Sequence, residues 1–183
     1  MPRPLALGLA LALTPLSLFA QDATPERIVE GFGAWEMRCQ RIDPADTSSP
    51  LACEVTQETL LQGATQPVTR VAIGRPAPDA ALSAVVQLPL GLWLPSGAAL
   101  DLGPTGGSYA LDILRCLPQG CIAEIPLTDT MRTALSDDSA PADAPTSAIV
   151  FEMQPGTPAR VPLIHTGFAA ALSALESRLA AAP

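Results

Sequence analysis

The 183-residue chain contains no lysine, one histidine (His165), one tyrosine (Tyr109), two tryptophans and four phenylalanines. Each shortage removes a class of chemistry. A single imidazole cannot build a His-rich metal site, and no two cysteines show the C-x-x-C spacing preferred by zinc or dithiol redox centres. The G-x-S-x-G elbow is absent, so His165 as general base of a small hydrolase has no obvious nucleophile. The adjacent acids Asp137 and Asp138 lie in an aperiodic segment, whereas paired acids for glycoside chemistry need rigid placement across a cleft. Gly106-Gly107 has no phosphate-loop context and reads as a turn between strands. The thin aromatic inventory also argues against sugar binding. No metal, cofactor or catalytic residue is indicated.

Positive charge is scarce as well. All ten basic residues are arginine, set against eighteen acids, for a formal net charge of −8. A chain this acidic repels phosphate backbones and anionic lipid, which excludes charge-driven nucleic-acid or membrane binding unless arginines gather on one face.

What is present begins with the order basic, apolar, small: Arg3, then Leu5 to Phe19, then Ala20. That is the order of a secretory signal, with cleavage expected after Ala20. The run is shorter than the roughly 20 residues of a spanning helix, and Pro15 interrupts it. The alternatives are an uncleaved anchor or a lipoprotein, but a lipoprotein needs a cysteine at the cleavage site and the first is Cys39. The expectation is a signal over residues 1–20 and a single domain over 21–183. The product would be periplasmic, secreted or associated with the outer membrane, without an integral span.

Four cysteines, Cys39, Cys53, Cys116 and Cys121, suit an oxidising compartment. They allow three connectivities, of which 39 with 53 and 116 with 121 is the economical one. Each close pair flanks a turn-rich stretch, Ile42 to Pro50 and Leu117 to Gly120, where a hairpin would bring the sulfurs into range.

Period two dominates the rest. Trp35, Met37 and Cys39 alternate with Glu36, Arg38 and Gln40, as in a strand with one buried face, and Trp35 reads as core. Further strands are expected at Ala52–Gln57, Val68–Gly74, Leu82–Leu88, Ser108–Cys116, Cys121–Pro126, Ala148–Gln154 and Ala159–Ile164, many separated by Pro and Gly. Short strands at this spacing predict a mainly β sandwich or barrel. The segment 136–146, acidic and proline-containing, reads as an exposed loop. Over Gly167–Ala181, Phe168, Leu172, Leu175 and Leu179 share one helical face, predicting an amphipathic terminal helix that closes the core. Thr130–Leu135 predicts a brief helix with Asp129 near its start.

The run from Leu88 to Gly103 is unusual. Leu90, Leu92 and Leu94 alternate with Gly91 and Trp93 between Pro89 and Pro95, the pattern of an edge strand. Such an edge would offer its free hydrogen-bonding row to a partner strand, with Trp93, Leu92 and Leu94 as contact residues. The plainer reading has Trp93 covering part of the core beneath a loop.

Together the blocks F-G-A-W-E-M-R-C (32–39), C-E-V-T-Q (53–57), L-P-L-G-L-W-L-P-S-G-A-A-L-D-L-G (88–103), R-C-L-P-Q-G-C-I-A-E (115–124) and G-F-A-A-A-L-S-A-L (167–175) resemble the invasion-associated locus B family. The resemblance runs in order along nearly the whole chain after residue 20 and includes all four cysteines. It implies an exported bacterial protein with an immunoglobulin-like β-sandwich, named for a role in entry into host cells. Two departures from the family pattern bear on a host-facing contact that relied on positive charge: Thr166 replaces a basic residue before the terminal G-F, and lysines are missing. The expected function is that of a non-enzymatic interaction module with a protein partner in the envelope or on a host cell. A structural envelope-integrity role is the alternative, and a hydrolase using His165 is third.

Overall fold

The computed structural model describes residues 27–60, 63, 65–77, 79–139 and 145–181. The expected signal segment lies outside these residues. Among them, ten antiparallel strands run in chain order: β1 (Arg27–Phe32), β2 (Trp35–Arg41), β3 (Leu51–Thr59), β4 (Thr69–Gly74), β5 (Ser83–Leu88), β6 (Ala98–Asp101), β7 (Ser108–Leu117), β8 (Gly120–Pro126), β9 (Ser147–Gln154) and β10 (Thr157–Leu163). Their spatial order is β1-β2-β3-β4-β5-β8-β7-β6-β9-β10. Among the described residues there are also three α-helices: α1 (Gly103–Gly106), α2 (Asp129–Ser136) and α3 (Phe168–Ala181). The fold is mainly β with a C-terminal helix, as expected.

The sheet has two parts joined by one strand. The first half of β7 pairs with β6, and the second half pairs with β8 across a register shift between Ile113 and Arg115. A bulge of this kind bends a strand and raises its local twist, which lets one strand serve two layers in a sandwich-like arrangement. Turn chemistry fixes the hairpins. Phe32 faces Trp35 across a two-residue turn with Gly33 at φ 60°, and Gln154 faces Thr157 across Pro155 and Gly156, the latter at φ 74°. The outer strand β10 carries Pro158 and Pro162, which cannot donate to a ladder and so belong on an edge.

The core lies on the inner face that the alternation predicts. Trp35, Met37, Cys39, Val55, Ile73, Val86 and Ala123 are all essentially buried. Phe168, Ala171, Leu172 and Leu175 of α3 join the same core cluster, so the terminal helix closes the domain's own interior. Leu179 packs against that cluster while remaining partly exposed. The cap of α2 is Thr128, whose hydroxyl accepts from the Met131 amide at 3.3 Å, with Asp129 within the first turn. Sequence periodicity missed β1, β6 and α1, which are short or lie at an edge. The expected loop begins with a turn at Asp137–Ser139, and residues 140–144 lie outside the described residues.

Both disulfides join directly opposed residues of neighbouring strands. Cys39 pairs with Cys53 between β2 and β3, and Cys116 with Cys121 between β7 and β8, at Cα separations of 4.0 and 3.8 Å. This is the economical connectivity.

Candidate functional site

Two places carry the candidate residues, and their construction differs. The first is the 89–97 connection between β5 and β6. It is a turn at Leu90–Gly91 followed by a short 3₁₀ turn over Leu94–Ser96, and not the edge strand its alternation suggested. Gly91 takes φ 82°, which breaks extended geometry, and Pro95 sits where a helical turn tolerates it. The strand that follows, β6, is interior, between β7 and β9.

Losing the strand rearranges the contact residues. Leu92 turns inward and is 8% exposed, while Trp93 is 44% and Leu94 52% exposed. Trp93 therefore does not cover the core, and Leu92 does. The Trp93 amide donates to the Glu152 carbonyl at 2.7 Å, and the Trp93 carbonyl accepts from the Ser96 hydroxyl at 2.8 Å. These bonds anchor the backbone under an outward-facing indole at the end of β9. Leu90 and Met153 are also largely exposed, and the Met153 methyl lies over Gly91. Leu90 could have been chosen from the same proline-bounded run. Met153 joins it only through the pairing of β9 with the connection, which no local pattern announces.

The second place surrounds His165, between β10 and α3. The ring is 8% exposed, with Nδ1 2.8 Å from the Asp137 carbonyl and Nε2 2.8 Å from the Ser147 hydroxyl. A carbonyl only accepts, so Nδ1 carries the proton and, in the neutral ring, Nε2 accepts from Ser147. A hydroxyl donating to an imidazole is half of a nucleophile–base arrangement, but Ser147 is only 1% exposed and the far nitrogen faces a backbone carbonyl in place of a carboxylate. The geometry ties together the end of α2, the start of β9 and the β10–α3 junction. Hydrogen bonds from the Ser139 side chain and amide hold the Asp137 carboxyl below its ordinary range.

The same junction is closed from the other side by β1, β2 and β3. The Trp35 indole donates to the Ile164 carbonyl at 2.8 Å, and its ring meets Phe168 edge-on at 5.0 Å. The Gln57 amide both donates to Ile164 O and accepts from Ile164 N at 2.8 Å, replacing a strand partner with a side chain. The Ala34 amide donates to Thr166 O at 3.0 Å.

A family model described as "Invasion associated locus B (IalB) protein" matches residues 35–176. The chain belongs to this family. Among solved structures, the locus B chain is similar to the crystal structure of invasion associated protein b from Bartonella henselae. The two share 18% identity at a TM-score of 0.67, over 85% of this chain and 99% of that one. At that identity the likeness concerns the fold. No curated protein sequence is detectably similar to the chain. Among the described residues, no helix of this locus B protein is long and apolar enough to cross a membrane, and its two disulfides fit an exported protein.

Proposed function

We propose that this locus B family protein is an exported, non-enzymatic interaction module of the bacterial envelope or exterior. Its contact surface is the rim formed by Leu90, Trp93, Leu94 and Met153. The observation that carries the reading is Trp93, turned outward on a hydrogen-bonded backbone with three large apolar neighbours also exposed. Single exposed apolar residues are ordinary, but a tryptophan grouped with several others has the composition of an interface anchor. The buried Ser147–His165 pair supports a structural use of the histidine. The word "invasion" in the names of the family and of the Bartonella henselae protein supports a partner on a host cell or in the envelope.

Crosslinking in intact cells, with mass spectrometry of the captured material, tests this directly. The wild-type protein is expected to yield a defined protein partner that disappears in Trp93→Ala. Recovery of the same partner from both samples would remove the rim from the proposal. Recovery of none from either would favour a structural envelope role, visible as loss of envelope integrity without any host.

A further inference from the structure

The two edges of the sheet are unlike. β10, at one end of the strand order, carries Pro158 and Pro162 and a register irregularity between Thr157 and Pro158. Prolines and bulges are ordinary means of stopping an exposed edge from pairing with another chain. β1, at the other end, has neither. It pairs with β2 in unbroken register from Arg27 to Phe32 and contains no proline and no lysine.

The hairpin decides which groups that edge presents. Phe32 and Trp35 flank a two-residue turn, so they exchange hydrogen bonds, and Glu30 with Met37 and Ile28 with Cys39 repeat the exchange at every second position. The amides and carbonyls of Arg27, Val29 and Gly31 therefore point away from β2. Among the described residues no loop or helix bonds them. All three residues are exposed, Val29 at 48%. They alternate with Ile28 and Phe32, which pack against the core, so their side chains belong to the outer face. No atom of a neighbouring strand or loop lies within 4 Å of where a Gly31 Cβ would be. On the inner face of the same strand, Arg178 holds the Glu30 carboxylate at 2.9 Å and neutralises it.

We propose that β1 pairs antiparallel with β1 of a second copy, making a two-fold dimer whose sheet continues across the axis. A two-fold axis normal to the sheet sets like faces side by side and gives each contact twice. Centring on Val29 satisfies that symmetry and the hydrogen-bond pattern together. Val29 then faces its own twin, and Arg27 faces Gly31 of the second copy on either side of the axis. A shift along the strand leaves outward-facing groups unpaired. The register also fits chemically. Each Val29 covers an apolar twin, and Arg27 stands opposite a residue without a side chain, beyond which Glu36 of the second copy lies on β2. At about 4.8 Å per strand, that residue is roughly 10 Å from the arginine backbone, within the combined reach of the two side chains. Arg38 engages Oε1 of Glu36, and a carboxylate accepts through both oxygens. An unrelated strand would have to bring a matching cation and apolar residue of its own, whereas a second copy brings them by symmetry. The dimer uses none of the rim residues Leu90, Trp93, Leu94 and Met153 and is independent of the function proposed above.

Sedimentation velocity of the purified protein over a concentration series tests the pairing. A reversible monomer–dimer equilibrium is expected. Val29→Pro removes an amide that only the second copy bonds, and Val29→Lys opposes two like charges at the axis. Both variants should be monomeric at concentrations where wild type is dimeric, with cooperative melting retained. Arg27→Glu should weaken the dimer about tenfold (roughly 1.4 kcal/mol), an effect that shrinks at high salt. Trp93→Ala should dimerise like wild type. A wild-type protein that is monomeric throughout, a dimer that survives Val29→Lys, or one that is lost in Trp93→Ala would overturn the proposal.

Discussion

The two tryptophans occupy opposite kinds of environment. Trp35 is 1% exposed, its indole proton is bonded and its ring is packed on Phe168. Trp93 is 44% exposed and only its backbone is anchored. Around Trp35 the chain closes on itself. Residues 33–35 of the first hairpin, Gln57 of β3 and residues 164–168 share hydrogen bonds and backbone contacts, so each depends on the others. Around Trp93 the backbone is secured and the side chains are free. Stability is concentrated in the first region, and the second has the freedom to meet another molecule without weakening the fold.

Glycine gives the sharpest test of that contrast. A Cβ at Gly167, where φ is 89°, would lie 1.9 Å from the Phe32 carbonyl oxygen, and neither backbone can move without opening the seam. Gly167→Ala is expected to cost about 4 kcal/mol or more, seen as loss of the cooperative urea transition. Gly91 also has positive φ, but its Cβ would meet the Met153 methyl at an ordinary 3.8 Å. Gly91→Ala should cost about 1 kcal/mol, the price of the left-handed conformation alone. Equal destabilisation by the two would abolish the distinction.

The tryptophans themselves come next. Trp35→Ala removes a fully buried ring and leaves a cavity, for an expected loss of about 3–4 kcal/mol in chemical denaturation. Trp93→Ala should stay within about 0.5 kcal/mol of wild type by the same measurement, its effect confined to partner capture. A large stability loss in Trp93→Ala would mean that the rim is structural.

A further small effect concerns charge, in a part of the molecule belonging to neither region. The Arg160 guanidinium, 2.7 Å from Asp101, and the Gly103 amide hold the Asp101 carboxyl below its ordinary range. A carboxyl with a depressed folded-state pKa contributes stability above its unfolded pKa of about 4 and loses it as pH falls through the lower folded value. Asp101→Asn should therefore be less stable than wild type at neutral pH by under about 1 kcal/mol, since the pair is partly exposed. The difference should disappear toward strongly acid pH in thermal melts. A difference independent of pH would assign the effect to packing.

The residues make clear how much of this was legible in advance. Alternation located β2 and its core face, and period 3.6 located α3 with Phe168, Leu172 and Leu175 inward. Both signals are local, repeated and reinforced by burial. The same rule failed at Leu90–Leu94, because a positive φ at Gly91 breaks the strand while leaving the pattern of letters intact. β1 and β6 were missed for related reasons. β1 is an edge strand without a fully buried face, and β6 has only four residues. Of the three candidate contact residues, Trp93 and Leu94 are exposed, as a contact role requires, whereas Leu92 lies in the core.

By itself, then, the sequence determined the class of fold and most strand and helix positions, and it favoured the closing role of the terminal helix and the pairing of neighbouring cysteines. These follow from periodicity, turn chemistry and short separations along the chain. Tertiary structure alone decided which tryptophan is exposed, that His165 bonds Asp137 and Ser147, and that arginines as far apart as Arg27 and Arg75 border one groove. The physical reason is register: alternation assigns a residue to one of two faces, but only the pairing of distant strands determines which residues on a face are neighbours.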